Sequence, residues 1–120
     1  MTKQQEITTL LHGLREEVPE LRGVMLASSD GLAIASDFPE QEGSRIAAMA
    51  ATALGLGVRI AETVRLDNLE ETVIRGKAGY MVVYAVGETA VLAVAAPSGT
   101  NLGLIHLIAR RVAKELAQDF

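Results

Sequence analysis

Apolar positions along the chain repeat with two different periods, and the switches between them mark out its elements. Ile7, Leu10, Leu11, Leu14 and Val18 fall at helical spacing, with Glu6, Arg15 and Glu16 turned elsewhere. Thr2 followed by Gln5 predicts a capping box at the start of this first helix, and Pro19 its end. Gly23 to Ala27 and Leu32 to Ala35 are short apolar runs on either side of Ser29-Asp30-Gly31, whose Asp-Gly pair favours a tight hairpin, so they are read as the first two strands. Pro39 to Gly43 then breaks the chain before a long helix expected from about Ser44 to Arg65.

Two stripes divide that second helix. Ile46, Met49, Ala50, Ala53, Gly57, Ile60, Ala61 and Val64 form a broad apolar face expected to cover a sheet. Arg45, Ala48, Thr52, Gly55, Arg59 and Glu62 form a second stripe, small in the middle and charged at its ends. A merely solvated face would carry Lys, Glu and Gln, which are good helix formers that stay wet, so this stripe reads as a surface kept for a partner.

Three further strands are expected at about Leu69 to Arg75, Tyr80 to Val86 and Ala90 to Ala95, joined by Gly76-Lys77-Ala78-Gly79 and Gly87-Glu88. Such short turns make successive strands antiparallel. Tyr80 to Val86 is apolar at both odd and even positions, which implies cover on both faces of the sheet. Leu102, Ile105, Ile108, Ala109, Val112, Ala113 and Leu116 make an amphipathic last helix that starts near Thr100 or Asn101. The order αββαβββα predicts an α+β three-layer αβα sandwich, with a five-stranded antiparallel sheet, as a single domain over residues 1–120. Helices one and three would share one face. Helix two would cover the other alone, leaving apolar sheet beside it unless a second chain supplies a helix.

Composition narrows the function classes. With 120 residues, 49% of them hydrophobic, there is enough chain for one core. The net charge of -4 brings no basic excess, so nucleic acid is not an expected partner. Cysteine is absent, which removes disulfides, thiolate nucleophiles and thiolate metal sites. The segment MTKQQEITTLLHGLREE has no continuous apolar core of the signal-peptide kind, and the uncharged run from Thr89 to Ala109 is interrupted by Pro97-Ser98-Gly99-Thr100-Asn101. A cytoplasmic location without membrane insertion is expected. Aromatic residues make up only 3%, so the core must close on Ala, Val, Leu, Ile and Met.

Catalytic and cofactor chemistry finds little to work with. Gly55-Leu56-Gly57 lacks the third glycine of a dinucleotide fingerprint, and Gly76-Lys77 is followed by Ala78 where a phosphate loop needs Ser or Thr. Arg75 and Lys77 flank a turn and read as ordinary hairpin charges rather than as an arginine finger. His12 and His106 each lie on a predicted helix without an evident ligand partner, and Glu16-Glu17 and Glu70-Glu71 diverge as sequence neighbours. No serine sits in a nucleophile elbow. An enzyme is not expected, nor a metal or cofactor.

The hairpin GVMLASSDGLAIAS, the small-residue helix IAAMAATALGLGVRIAE and the segment YMVVYAVGETAVLAVAAPSGTNLGLIHLIARRVAKEL together resemble the Roadblock family, which is named for a dynein light chain and includes the bacterial gliding-motility regulator MglB. The resemblance covers nearly the whole chain and implies a homodimer in which the second helices lie side by side. Ala47, Ala51 and Val58 would then be near the partner helix, and Leu69 to Arg75 would pair with its own copy, bringing Glu71, Val73 and Arg75 into the interface. MglB-like members bind a Ras-like small GTPase across the paired helices and speed its hydrolysis by arranging the GTPase's own catalytic residues, in settings of cell polarity and motility. The stripe Arg45, Ala48, Thr52, Gly55, Arg59, Glu62 occupies that position. MglB-like chains tend to carry a longer C-terminal tail than this one, which ends at Phe120, so the resemblance supports docking further than activation. Two other readings stay open: a passive scaffold subunit with no effect on hydrolysis, and a small-ligand sensor.

Overall fold

Local signals fix the ends of the elements. In the computed structural model, which describes Met1–Phe120, helix α1 (Lys3–Glu17) starts in the predicted capping box: the Thr2 side chain accepts from the Gln5 N–H, and the Gln5 side chain accepts from the Thr2 N–H at 2.8 Å. Strands β1 (Gly23–Ser28) and β2 (Ala33–Ser36) form the first hairpin, turning through Gly31 at φ +93°. Helix α2 (Glu40–Val64) follows, then β3 (Glu71–Gly76), β4 (Gly79–Val86), β5 (Ala90–Pro97) and helix α3 (Leu102–Leu116), with a final short turn over Ala117–Asp119. The Asn101 side chain caps α3 by accepting from the Leu104 N–H.

All strand pairs are antiparallel, and the sheet runs β2-β1-β5-β4-β3. Alternation then assigns the side chains. Val24, Leu26, Val82, Tyr84, Val86, Leu92 and Val94 point to the face that α1 and α3 cover, and Met25, Ala27, Val83, Val91 and Ala93 to the face under α2. The expected αββαβββα order and three-layer arrangement are what the chain adopts. The centre of strand β4, Val82 to Tyr84, is buried on both faces, whereas Met81 is partly buried and Ala85 exposed on the α2 face, so the cover expected from its unbroken apolar run is incomplete there.

Helix α2 departs from expectation twice. It begins a turn earlier than Ser44, with Pro39 as its N-cap residue at φ -53°, because a proline at a helix start lacks only an N–H that would have no partner anyway. Its rotation also differs. The sheet-facing stripe is Gly43, Ala47, Ala50, Leu54 and Ala61, with Gly57 among them, whereas Met49, Ile60 and Val64 are 55%, 49% and 60% exposed. The reason is distance: α2 lies so close to the strands that a Cβ on Gly57 would stand 2.4 Å from Thr72 Oγ1 and 3.0 Å from Leu69 Cδ2. Small residues therefore go inward, and most of the bulky ones outward.

This rotation predicts that Ala47→Leu overpacks the interface beneath α2 and costs about 1–3 kcal/mol in urea unfolding at fixed protein concentration. An unchanged midpoint would mean that another side of the helix meets the sheet.

Candidate partner-binding surface

Around the outside of α2 the side chains sort into three strips. The outermost holds Arg45, Thr52 and Arg59, and next to it, toward the β1–β2 turn, come Ala48, Gly55 and Glu62. All of these residues are exposed. The turn approaches closely at Ala48, whose Cα would lie 3.3 Å from a Cβ on Gly31, so Gly31 has little room for a side chain. Thr52 spends its hydroxyl on its own helix, donating to the Ala48 carbonyl at 2.8 Å, and so presents bulk rather than a free donor. The predicted stripe thus exists as a continuous solvent-facing surface.

The third strip is the flank toward β3. Ile46, Met49, Ala53, Leu56, Ile60 and Val64 recur along it at steps of three and four. Beyond it, on the same sheet face, lie Met81 of β4, partly buried, and Ile74 of β3, 49% exposed. Helix α2 is long and apolar enough by composition to cross a bilayer, yet only 22% of its apolar window is buried within the chain. Its inner stripe is packed on strands, so what lacks cover is this flank.

The expected dimer residues change accordingly. Ala47 is wholly buried in the chain's own core and cannot touch another chain. Ala51, half-buried, and Val58, 38% exposed, share the row of Ala48 and Gly55 and face away from β3. For Ala47 the expectation fails, because it placed the helix with its bulky residues on the sheet. The signal that identifies the flank is the set of large side chains left over in a helix whose packed stripe is mostly Gly and Ala.

Strand β3 closes the surface at the sheet edge. It pairs only with β4, so one side of its backbone carries unpaired N–H and C=O groups. Glu71 and Val73 share the α3 face of the sheet with Arg75, while Thr72 and Ile74 face α2. Arg110 of α3 donates to Glu71 Oε1 from Nη2 at 2.7 Å and from Nε at 3.2 Å, and this hydrogen bond holds the guanidinium firmly protonated. Arg75 is exposed and has no ion-pair partner.

Elsewhere the polar groups have structural explanations. His12 does have a carboxylate one turn on, Glu16 at 2.8 Å, but both are exposed and the pair stands alone. His106 Nδ1 lies 2.8 Å from the Tyr84 hydroxyl, whose burial pushes the phenol well above its usual range. A surface hollow of about 720 Å³ between the β1–β2 hairpin and the start of α2 is lined by Gly31, Leu32, Phe38 and Glu40 among others. No polar or charged residue of the chain is among the buried ones.

The sandwich thus leaves one apolar helix flank uncovered, with one open strand edge beside it. The Roadblock/LC7 domain model matches residues 7–96, and the chain belongs to this family. The uncharacterized protein MJ1340 of Methanocaldococcus jannaschii is 34% identical over 101 residues, 83% of this chain and 88% of that one. Among solved structures, MglB of Myxococcus xanthus superposes with a TM-score of 0.87 at 20% identity, covering 100% of this chain and 91% of its own. An MglB in a tetrameric arrangement gives 0.86 at 19% identity, over 98% and 90% of the two chains.

One buried atom at this surface has no hydrogen-bond partner: Thr72 Oγ1, beneath Gly57. Replacing a stranded hydroxyl by a methyl of similar shape removes its desolvation penalty, so Thr72→Val is expected to raise stability by about 1 kcal/mol in chemical denaturation. A loss of stability would mean that the hydroxyl has a partner in solution.

Proposed function

We propose that the chain acts as a homodimer whose paired α2 helices form a docking platform for a Ras-like small GTPase. The observation that carries this reading is the division of α2 into a bulky apolar flank and an outer strip of small and charged residues. The two strips suit different partners. A second copy of the chain brings its own flank of Ile46, Met49, Leu56, Ile60 and Val64 against the first in an isologous contact, and each such side chain that becomes fully covered contributes about 1.5–3 kcal/mol. The outer strips of the two helices then lie together and face outward as one surface.

On that surface Ala48 and Gly55 let a partner's backbone approach, while Arg45, Arg59 and Glu62 supply the charge pattern that orients it. The fold likeness to MglB and the membership of the Roadblock/LC7 family support the same reading. The platform contributes no catalytic side chain. Any faster hydrolysis comes from holding the GTPase's own residues in place.

Two expected outcomes test the proposal. Ile60→Glu, which puts a charge in the middle of the apolar flank, should convert the dimer to a folded monomer in light scattering with an unchanged circular dichroism spectrum; a dimer that persists would remove the flank from the interface. The double variant Thr52→Lys, Arg59→Glu should remain dimeric and lose the GTPase by roughly 30-fold or more in a calorimetric titration. Unaltered affinity would rule out this face. Turnover of GTP by the bound GTPase, with and without saturating platform, separates an activator from a passive scaffold.

A further inference from the structure

The far edge of the sheet from β3 is β2, which pairs only with β1. Its four residues, Ala33, Ile34, Ala35 and Ser36, carry no charge. An uncharged edge strand invites the addition of another strand. The free backbone groups can be placed. The Asp37 N–H donates inward to the Val24 carbonyl at 3.1 Å, and the Ser28 N–H donates to the Leu32 carbonyl at 2.8 Å. By alternation the backbone groups of Ser36 and Ala33 turn outward. The irregular register between them exposes the Ile34 carbonyl too, and the Gln4 side chain of α1 donates to it at 3.2 Å. An amide of α1 thus stands where the N–H of an added strand would stand.

Both sides of this edge are hollow. Toward α2 lies the space of about 720 Å³ already described, with Leu32, 67% exposed, at its rim and Phe38 in its wall. Toward α1 a smaller hollow of about 270 Å³ lies between Ala35 and the side of the helix that carries Thr8 and His12. Side chains of an extended chain alternate between the two faces of a sheet. One added strand would therefore send successive side chains into one hollow and then the other.

Charge decides which strand fits. The residues around the two hollows include Glu40 and Asp37 but no lysine or arginine. Asp30 in the hairpin turn and Glu42 in the first turn of α2 are exposed as well, and neither they nor Glu40 have an ion-pair partner. Arg15 is already spent on Asp37, at 2.6 Å, and on the Leu21 carbonyl. A second β2 laid antiparallel would bring Asp37 toward the partner's Asp30, so self-addition at this edge is opposed. We propose that β2, with the hollows on its two sides, binds an extended segment of another protein that is apolar at alternate positions and flanked by lysine or arginine. Main-chain hydrogen bonds to Ser36 and Ala33 give such a segment its hold, the hollows its spacing and the carboxylates its flanks. Because β2 and β3 are opposite edges, self-association through the flank of α2 toward β3 leaves this site open. The inference therefore stands apart from the homodimer reading.

A peptide set tests it. The probes are fluorescein-labelled Lys-Lys-x-Ser-x-Ser-x-Lys-Lys peptides, with Val, Ile, Leu or Phe at each x, titrated against the full chain by fluorescence polarisation. The best members should bind with a Kd on the order of 100 μM or tighter, and replacing their lysines by glutamates should cost about tenfold or more. N-methylation of the amides on one edge of the bound peptide should abolish binding, and methylation of the alternate set should be tolerated, because only one edge faces β2. Simple charge attraction would not distinguish the two sets. Glu40→Lys with Glu42→Lys should weaken binding about tenfold while the circular dichroism spectrum stays unchanged. Gln4→Ala, which frees the Ile34 carbonyl, should not weaken it. Bound peptide should slow hydrogen exchange of the Ser36 amide about tenfold. Failure of every lysine-flanked peptide to bind, equal binding by the glutamate-flanked set, equal effects of the two methylation patterns, or protection at Val73 in place of Ser36 would overturn the proposal. None of these outcomes bears on dimerisation, which light scattering reads separately.

Discussion

The close approach of α2 to the sheet governs much of the rest of the structure. With Thr72 and Leu69 directly beneath Gly57, the helix has room on its inner side mainly for glycine and alanine. Close packing of this kind excludes water through dispersion contacts between small groups rather than through large buried side chains. The cost falls on the outside, where an α-helix of 25 residues must then carry most of its larger apolar residues. A chain built this way folds with a surface that water does not favour, and that surface sits beside an open strand edge. The two features call for the same remedy, which is another chain.

The edge itself is kept orderly by charge. An unpaired strand with apolar residues on both faces is a template for indiscriminate addition of other strands. Here the strand is short, Glu71 is tied down by Arg110, and Arg75 projects near its end. Charged side chains at an open edge penalise indiscriminate addition of strands that cannot match them.

Much of this was legible in the residues. The capping box at Thr2 and Gln5, the Asp30-Gly31 turn, the strand from Tyr80 to Val86 and the Asn101 start of the last helix all follow from local rules, and all are where those rules put them. The outer strip of α2 was legible too, since small residues at exposed helix positions are conspicuous. The rotation of α2 was not. Amphipathic periodicity assumes that the bulkiest side chains seek the core, and here Met49, Ile60 and Val64 face outward because inter-layer distance, a tertiary quantity, decided the matter. The extra turn at Pro39 was obscured because Pro and Gly normally punctuate a chain, while here one caps the helix and the other rests on Met25.

The two sides of the sheet are unequal in a way that bears on how such a module diverges. The side under α1 and α3 encloses a cluster of 20 buried residues, against 8 beneath α2. The larger reservoir holds most of the chain's own core, while the thinner side lies beneath the helix that carries the exposed apolar flank. Positions on the exposed outside of α2 can therefore change at less cost to folding than the small residues packed beneath it.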